Sequence, residues 1–209
     1  MKTHNLRAAA ACGLRVPRTL VTSSPPAARA FVDAVGVGRV VAKAFSATEA
    51  CWRETRLVRG GELDLLDTVR YAPVIFQQYV PAEVDLRVTV VGGRVFPAAV
   101  HSAELDYPVD FRLELDRVRI TPATLPAGVR AGLLRLMRRL GLVYGAVDLR
   151  RTPTGEHVYL EVNPAGQWLF VEERTGQPVT ATLAGALAAA DRPAGSAAGP
   201  DIPKLGVVA

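Results

Sequence analysis

The stretch that decides the predicted fold is Glu161-Val162-Asn163-Pro164-Ala165-Gly166-Gln167-Trp168, together with Asp148 upstream. Residues 158–163 alternate between two sets of side chains, which is the period of a half-buried β-strand. One set is Val158, Leu160 and Val162, and the other is Tyr159, Glu161 and Asn163. Because successive side chains of a strand point to opposite faces, we expect Glu161 and Asn163 on the same face of a sheet.

A second alternating segment, residues 142–150, carries Asp148. If Thr154 and Gly155 form the turn between the two segments, antiparallel pairing sets Asp148 directly across from Glu161. Two carboxylates that face each other across a ladder repel, so a positive charge is expected between them. These carboxylates and the amide oxygen on the same face are ligands that suit Mg²⁺. The alternative is a solvated hairpin face with ordinary charges.

Asp148 followed by Glu161-x-Asn163 resembles the magnesium-binding signature of the ATP-grasp carboxylate–amine ligases. The longer run from Glu161 to Trp168, with a Val-Glu and a Thr-Gly pair after it, is narrower. It is similar to the ATP-grasp maturases of ribosomal peptides, the microviridin-type or graspetide synthetases. The resemblance implies an α+β ATP-grasp fold in which two lobes bind the nucleotide between antiparallel sheets.

The resemblance covers nearly all of residues 1–190 and implies two lobes. Residues 1–80 would form the ATP-binding N-terminal lobe, and residues 81–190 the C-terminal lobe with the metal and catalytic sites. In residues 191–209 Ala, Gly and Pro dominate, so we expect a disordered tail there.

Composition excludes several classes of protein. At 209 residues and 49% apolar content, the chain is long enough for one sizeable core or two lobes. It has no apolar run of about 18 residues, so no membrane span is expected, and its N-terminus has no signal-peptide core. The two cysteines, Cys12 and Cys51, lack metal-site spacing and fit a reducing cytoplasm.

Positive charge in this chain is almost entirely arginine. The net charge of +5 would permit an acidic partner, but no basic helix interleaved with aromatic residues is present, so no nucleic-acid partner is expected. The lysines are Lys2, Lys43 and Lys204. By the resemblance, Lys43 matches the lysine that contacts the ATP phosphates, and Lys2 matches an earlier nucleotide-contacting lysine. A compact ammonium donor suits that task, and the alternative for either residue is a surface position.

The apolar strand predicted over residues 73–80 ends in Gln77-Gln78-Tyr79-Val80. This run matches the family's linker between the lobes, whose backbone groups contact adenine. The resemblance therefore implies that the Gln78 carbonyl and the Val80 amide bind the edge of the base.

Residues 84–91 form a clearly alternating strand, with Asp85 and Arg87 on the face opposite the valines and Leu86. In the family's Asp-x-Arg-Val pattern, the matching Arg87 faces the reacting phosphates or the carboxylate. Its planar fork suits an acyl phosphate. Asp85 is a further candidate contact to the nucleotide, and a salt bridge between Asp85 and Arg87 is the structural alternative.

The remaining pattern predicts helices over residues 2–12, 25–35, 62–69, 126–140 and 178–190, and strands over 18–22, 39–45 and 94–100. Ser23 and Ser24 are expected to cap the second helix. Residues 46–55, where the family has a phosphate-covering loop, contain no glycine. His101 and the run Asp110-Phe111-Arg112 resemble a further maturase pattern, in which Arg112 is expected to face the substrate.

The implied reaction is a two-step ligation that uses ATP and Mg²⁺. The γ-phosphoryl group passes to a carboxylate of a precursor peptide, and a hydroxyl or amine then displaces phosphate to give an ester or amide macrocycle. Family members carry a further N-terminal domain before the position of Lys2. Three explanations stay open: the chain is a short or misstarted form, a homodimer or a partner supplies that part, or the chain is not an active ligase. Two alternatives remain: a non-catalytic domain that binds nucleotide or leader peptide, and a relative that adds amino acids to a peptide terminus.

Overall fold

The computed structural model describes residues 2–44, 55–104 and 115–191. Its strands are β1 Thr19–Thr22, β2 Val40–Ala44, β3 Arg56–Leu57, β4 Val74–Gln78, β5 Val84–Val91, β6 Arg94–Val100, β7 Ile120–Pro122, β8 Tyr144–Arg151 and β9 His157–Asn163. Its α-helices are α1 Lys2–Ala11, α2 Pro25–Val35, α3 Ala127–Leu140, α4 Leu169–Thr175 and α5 Val179–Ala190. Two 3₁₀ helices span Gly60–Tyr71 and Ser102–Glu104.

The first sheet is antiparallel, with the strand order β1-β4-β2-β3. Helix α2 and the long 3₁₀ helix pack on it around Val32, Val40 and Phe76, which are almost fully buried. The strands predicted here are confirmed. The predicted helix cap is wrong, because the side chain of Ser24 makes no capping bond; instead the Ser24 amide donates to Thr22 Oγ1 at 2.9 Å.

The second sheet has the order β7-β6-β5-β8-β9, and all its neighbouring strands are antiparallel. One face of the sheet packs against α1 and α3. The apolar residues of β5 lie on that face as predicted and are at most 2% exposed: Val84, Leu86, Val88 and Val90. The opposite face carries the polar residues of β5 and β8.

Helix α1 belongs by its packing to the second sheet and not to the first lobe predicted for residues 1–80. Leu6, Ala9 and Leu14 are buried in the same cluster as Leu133 of α3. The segment that follows α1 packs closely on α3 because Gly132 has no side chain: a Cβ there would lie 2.7 Å from Leu14 Cδ2. The predicted end of α1 near Gly13 is confirmed, with a left-handed φ of 80° at that glycine.

The hairpin β8–β9 brings Asp148 opposite Glu161, as predicted, but the register of the other pairs differs from the predicted one. The pairs Arg151↔His157 and Leu149↔Tyr159 are symmetric about Thr154. The predicted turn was centred between Thr154 and Gly155, half a residue later. A β-bulge at Leu160 inserts one extra residue and restores the Asp148↔Glu161 pair. The alternation predicted for residues 158–163 is therefore wrong at one point: Tyr159 shares the core face with Val162.

Several predictions fall on segments outside the described ranges. These segments include residues 46–54 of the predicted phosphate-covering loop, the run Asp110-Phe111-Arg112, and the tail from residue 192. Helix α4 was not predicted, whereas α3 and α5 lie where expected, within one residue at each end. None of the helices in the described ranges is long and apolar enough to cross a membrane.

Candidate nucleotide and metal site

A cleft opens between the two sheets, and most of the predicted site residues line it. Its walls come from β2, from the linker after β4, and from β5, β8 and β9. The lining residues are Val41, Lys43, Thr55, Gln77, Gln78, Tyr79, Val80, Asp85, Leu86, Asp148, Leu149, Arg150, Leu160 and Glu161. Arg87 and Asn163 lie outside this lining, and the side chain of Lys2 lies outside the described part of α1.

Lys43 projects from β2 at one side of the cleft. Its Nζ donates to Gln77 Oε1 at 3.0 Å, and Gln77 Nε2 donates to Thr19 Oγ1 at 3.1 Å. Gln77 is only 4% exposed, so this chain of bonds is fixed inside the lobe. Sequence reasoning placed Gln77 in the adenine linker, whereas the structure directs its side chain to the lysine.

The linker Gln78-Tyr79-Val80 forms another wall of the cleft. The Tyr79 amide donates to the Arg39 carbonyl at 2.8 Å, and the Val80 carbonyl accepts from Arg150 at 2.8 Å. Among the described residues, no hydrogen bond involves the Val80 amide. The nearby lining residues Val41 and Leu160 are apolar, whereas the side chain of Leu149 is 1% exposed and packs in the core of the second sheet. A slot with apolar walls and an available backbone donor can hold a flat heteroaromatic base.

Asp148 and Glu161 face each other across β8 and β9. The positive charge expected beside them is a guanidinium: Arg87 Nη1 lies 2.8 Å from Asp148 Oδ1. Burial raises the pKa of the Asp148 carboxyl and Glu161 raises it further, while Arg87 acts in the opposite direction. Because a second carboxylate faces this group, a divalent cation fits the donor set as well as an arginine does.

Asn163 pairs with Ala146, two positions along the ladder from the two carboxylates and on the same face. Its side chain is exposed, and its Oδ1 accepts from the Ala165 amide at 2.9 Å. An amide oxygen has a second lone pair, so this bond is compatible with metal ligation. Within the described ranges, no group of three or more His, Cys, Asp or Glu residues is arranged for a metal, so the predicted ligand set depends on Asn163.

Asp85 lies in the cleft but bonds to other parts of the protein. Its Oδ1 accepts from Arg150 Nε at 2.8 Å, and its Oδ2 accepts from the Ser102 hydroxyl. The salt bridge predicted as an alternative, between Asp85 and Arg87, is therefore replaced by two cross-strand pairs. Asp85 meets Arg150, and Arg87 meets Asp148.

Sequence reasoning missed Arg150, although a signal was present. The tetrapeptide Val-Asp-Leu-Arg occurs twice, at residues 84–87 and 147–150. The two copies lie on neighbouring antiparallel strands whose register sets Asp85 across from Arg150 and Arg87 across from Asp148. Each aspartate therefore meets the arginine of the other copy.

Solved structures of three ligases resemble this chain. The macrocyclase MdnC from Microcystis aeruginosa MRC, bound with precursor peptide MdnA, is 32% identical with a TM-score of 0.76, over 90% of this chain and 59% of MdnC. A RiPP-associated ATP-grasp ligase from Chryseobacterium gregarium, in complex with ADP and a leader and core peptide, is 28% identical with a TM-score of 0.79, over 91% and 60%. The ATP-grasp ligase PsnB, complexed with minimal precursor, Mg and ADP, is 27% identical with a TM-score of 0.74, over 90% and 57%.

No protein-family model and no curated protein sequence matches the chain. The structural similarity nevertheless covers nearly all of it and includes both sheets. The chain has the ATP-grasp fold. The predicted α+β architecture and the predicted resemblance to ATP-grasp maturases of ribosomal peptides are both confirmed. This ATP-grasp chain spans 57–60% of the length of the three ligases.

In this ATP-grasp chain, the loop after β9 holds Arg87 in place. Arg87 Nη2 donates to the Gln167 carbonyl at 3.2 Å, and its guanidinium lies 5.8 Å from the centre of the Phe170 ring. Gly166 packs so closely that a Cβ there would lie 2.4 Å from Ala146 Cβ. The hydroxyl of Tyr144 donates to the Gly166 carbonyl.

Trp168 anchors the end of the same loop. Its ring packs edge-on against Tyr144, with 5.5 Å between the ring centres, and its Nε1 donates to Thr180 Oγ1 at 2.9 Å. Glu172 accepts from the Thr180 amide at 2.8 Å. The Ala-Gly-Gln-Trp run that carries the family resemblance is therefore the segment that connects α4 and α5 to Arg87.

Proposed function

We infer that this chain binds ATP in the cleft between its sheets and ligates a carboxylate of a precursor peptide. One observation carries this proposal. The cleft brings together a lysine, a linker with an available backbone amide, and a facing pair of carboxylates, from four different parts of the chain. The similar ligases support this combination of ligands: MdnC is bound with a precursor peptide, the Chryseobacterium gregarium ligase with ADP and a leader and core peptide, and PsnB with minimal precursor, Mg and ADP.

The nucleotide would lie across the cleft. Val41 and Leu160 would enclose the base, and the Val80 amide would donate to its edge. Lys43, oriented by Gln77, would neutralise phosphate charge at the other side. Lys2 stays a predicted phosphate contact by resemblance.

Asp148, Glu161 and Asn163 would hold Mg²⁺. When bound, Mg²⁺ supplies positive charge that neutralises phosphate oxygens. Holding it also relieves the repulsion between the two carboxylates, which otherwise face each other in a partly buried site. Asp148 would have to accept the cation in addition to Arg87 or in its place.

Arg87 would bind the reacting end of the substrates. The substrate carboxylate oxygen would attack the γ-phosphorus, and ADP would leave. A hydroxyl or amine of the peptide would then attack the acyl carbon, lose its proton to solvent, and release phosphate. The fork of Arg87 can hold two oxygens of the acyl phosphate and stabilise the charge that develops on them.

The experiment that tests this proposal is co-expression with a short precursor peptide rich in Thr, Asp and Glu, followed by mass spectrometry. We expect the peptide to lose one water for each bond formed, and we expect no loss with Lys43→Ala or Arg87→Met. If the peptide mass does not change and the chain still binds Mg²⁺ and ATP, the ligase activity is rejected and the chain is a nucleotide-binding domain. A mass increase by whole amino acids would instead indicate a ligase that extends a peptide terminus.

A further inference from the structure

Arg150 lies where the two lobes meet, and it contacts both. From β8 it reaches Asp85 on the neighbouring strand, with 2.8 Å between Nε and Oδ1. Its Nη1 donates to the Val80 carbonyl in the linker at 2.8 Å, and its guanidinium lies 5.3 Å from the centre of the Tyr79 ring. The side chain is 8% exposed and that of Asp85 is 7% exposed, so the charges of both are buried.

A buried ion pair by itself adds little to stability, because desolvation of the two charges offsets their attraction. The role of this pair is to position the arginine, because Asp85 fixes one end of the guanidinium on the second sheet. Ser102 holds the other carboxylate oxygen of Asp85, which removes the remaining freedom of the anion. The second edge of the guanidinium is then presented to the linker in a fixed position.

The linker is restrained at the same point by its own sequence. Pro81 limits the residue before it to extended backbone conformations and has no amide of its own. With the Val80 carbonyl held by Arg150 and the Tyr79 amide held by Arg39, the peptide group between these two bonds is fixed. That peptide group carries the Val80 amide.

We propose that Arg150, fixed by Asp85, is a positioning residue that sets the Val80 amide for recognition of adenine. The proposal rests on the nucleotide site proposed above and assigns its base specificity. A backbone N–H can donate to the ring nitrogen of adenine, which is an acceptor. Guanine carries an N–H at the same position, so two donors would face each other and its binding would be disfavoured. Selectivity for ATP over GTP therefore depends on where Arg150 holds the linker. Asp85 acts through Arg150 and makes no direct contact with the nucleotide.

The test is calorimetric titration of the full chain and of Arg150→Lys with ATP, GTP and inorganic tripolyphosphate. Lysine keeps the charge beside Asp85, but a single ammonium cannot also reach Val80 and lie flat on Tyr79. We expect ATP affinity to fall about tenfold, GTP affinity to change less, and tripolyphosphate affinity to stay the same. Arg151→Lys is the matched control, because Arg151 neighbours Arg150 on the strand but pairs with Glu83 at the surface.

Thermal unfolding of each variant separates loss of the fold from loss of positioning. If Arg150→Lys does not fold, Tyr79→Leu removes the ring beneath the guanidinium and is expected to reduce the preference for ATP in the same direction. Equal weakening of ATP and tripolyphosphate, or an unchanged ATP preference in both variants, would overturn the proposal while leaving the nucleotide site intact. If the wild-type chain binds tripolyphosphate but does not distinguish ATP from GTP, the proposal is also wrong. A wild-type chain that binds none of the three would overturn the proposed function and this inference with it.

Discussion

At the scale of single residues, Gln77 is an acceptor that orients the ammonium of Lys43. The glutamine is buried and bonded at both ends, to Lys43 and to Thr19, so the ammonium is directed by a neighbour that does not itself need to touch a nucleotide. A lysine on a flexible stem would otherwise lose several rotatable degrees of freedom on binding phosphate. If Lys43 binds phosphate as proposed, preorganisation by Gln77 would reduce that loss.

We predict that Gln77→Leu weakens the binding of both ATP and tripolyphosphate by roughly tenfold, because the ammonium loses an acceptor that orients it. Calorimetry on Lys43→Ala and on the double variant provides the check. If Gln77 acts through Lys43, the second substitution adds little to the first. A full additional loss in the Lys43→Ala background would contradict this role.

The two Val-Asp-Leu-Arg copies show what could be predicted from sequence at this scale. Their repetition is visible in the sequence, and an antiparallel pairing of the two strands would have set each aspartate against the other arginine. Which pair is buried could not be predicted. That difference depends on Ser102, which bonds to Asp85, and on the Val80 carbonyl, which bonds to Arg150, and neither is close in the chain to the residue that it bonds. The Arg87–Asp148 pair is less enclosed: the Gln167 carbonyl and the Phe170 ring lie beside Arg87, and the two side chains stay 12% and 25% exposed.

At the scale of elements, the loop between β9 and α4 acts as the support for Arg87. The resemblance singled out the Ala-Gly-Gln-Trp run of this loop, but the helix that follows it was not predicted. Helix α4 has only seven residues and no side-chain cap, so the sequence carries no local helix signal there. The bulge at Leu160 was unpredictable for a similar reason. Alternation of residue types describes a regular strand and does not show where a residue is left unpaired. Leu160 is left unpaired because Leu149 pairs with Tyr159 while Asp148 pairs with Glu161.

We predict that Gly166→Ala lowers the stability of the chain by about 1–3 kcal/mol and impairs ligation more than it impairs ATP binding. A methyl group there would collide with Ala146, so the loop must shift and carry the Gln167 carbonyl away from Arg87. Thermal unfolding, ATP titration and the mass-spectrometric assay together measure the effect. Gly128→Ala is the control, because a Cβ on that helical glycine meets nothing within 4 Å. An unchanged ligation rate in Gly166→Ala would show that this loop does not position Arg87.

At the scale of the whole molecule, the two lobes keep separate cores and meet at the cleft. One cluster surrounds Val32 and Phe76 on the first sheet, and a larger one joins α1 and α3 to the second sheet. The family resemblance implied the two lobes, and the period-two pattern predicted the apolar face of β5 in the second core. The attachment of α1 to the second core could not be predicted, because it depends on contacts between residues distant in the chain, among them the close approach of Leu14, just after α1, to Gly132.

Two histidines link the stability of the whole molecule to pH. Burial lowers the pKa of both His101 and His157 below the ordinary value of 6.5. As the pH falls through that value, the unfolded chain takes up protons first, so folding stability decreases. We predict that the double variant His101→Gln/His157→Gln loses less of its melting temperature between pH 7.5 and pH 5.5 than the wild type does, by thermal unfolding at about those two values. His4→Gln, at an exposed position of α1, is the control, and equal losses in wild type and double variant would contradict the prediction.

The central claim is that the facing carboxylates at the end of the cleft make ATP binding depend on Mg²⁺. Calorimetric titration with ATP, in the presence and absence of Mg²⁺, tests it most directly on the wild type, Asp148→Asn and the control Glu156→Gln, which removes an exposed acid of the same hairpin. We predict that Mg²⁺ strengthens ATP binding in the wild type and in Glu156→Gln, and that Asp148→Asn folds but loses this dependence. Binding that is indifferent to Mg²⁺ in the wild type, or dependence that survives Asp148→Asn, would contradict the claim.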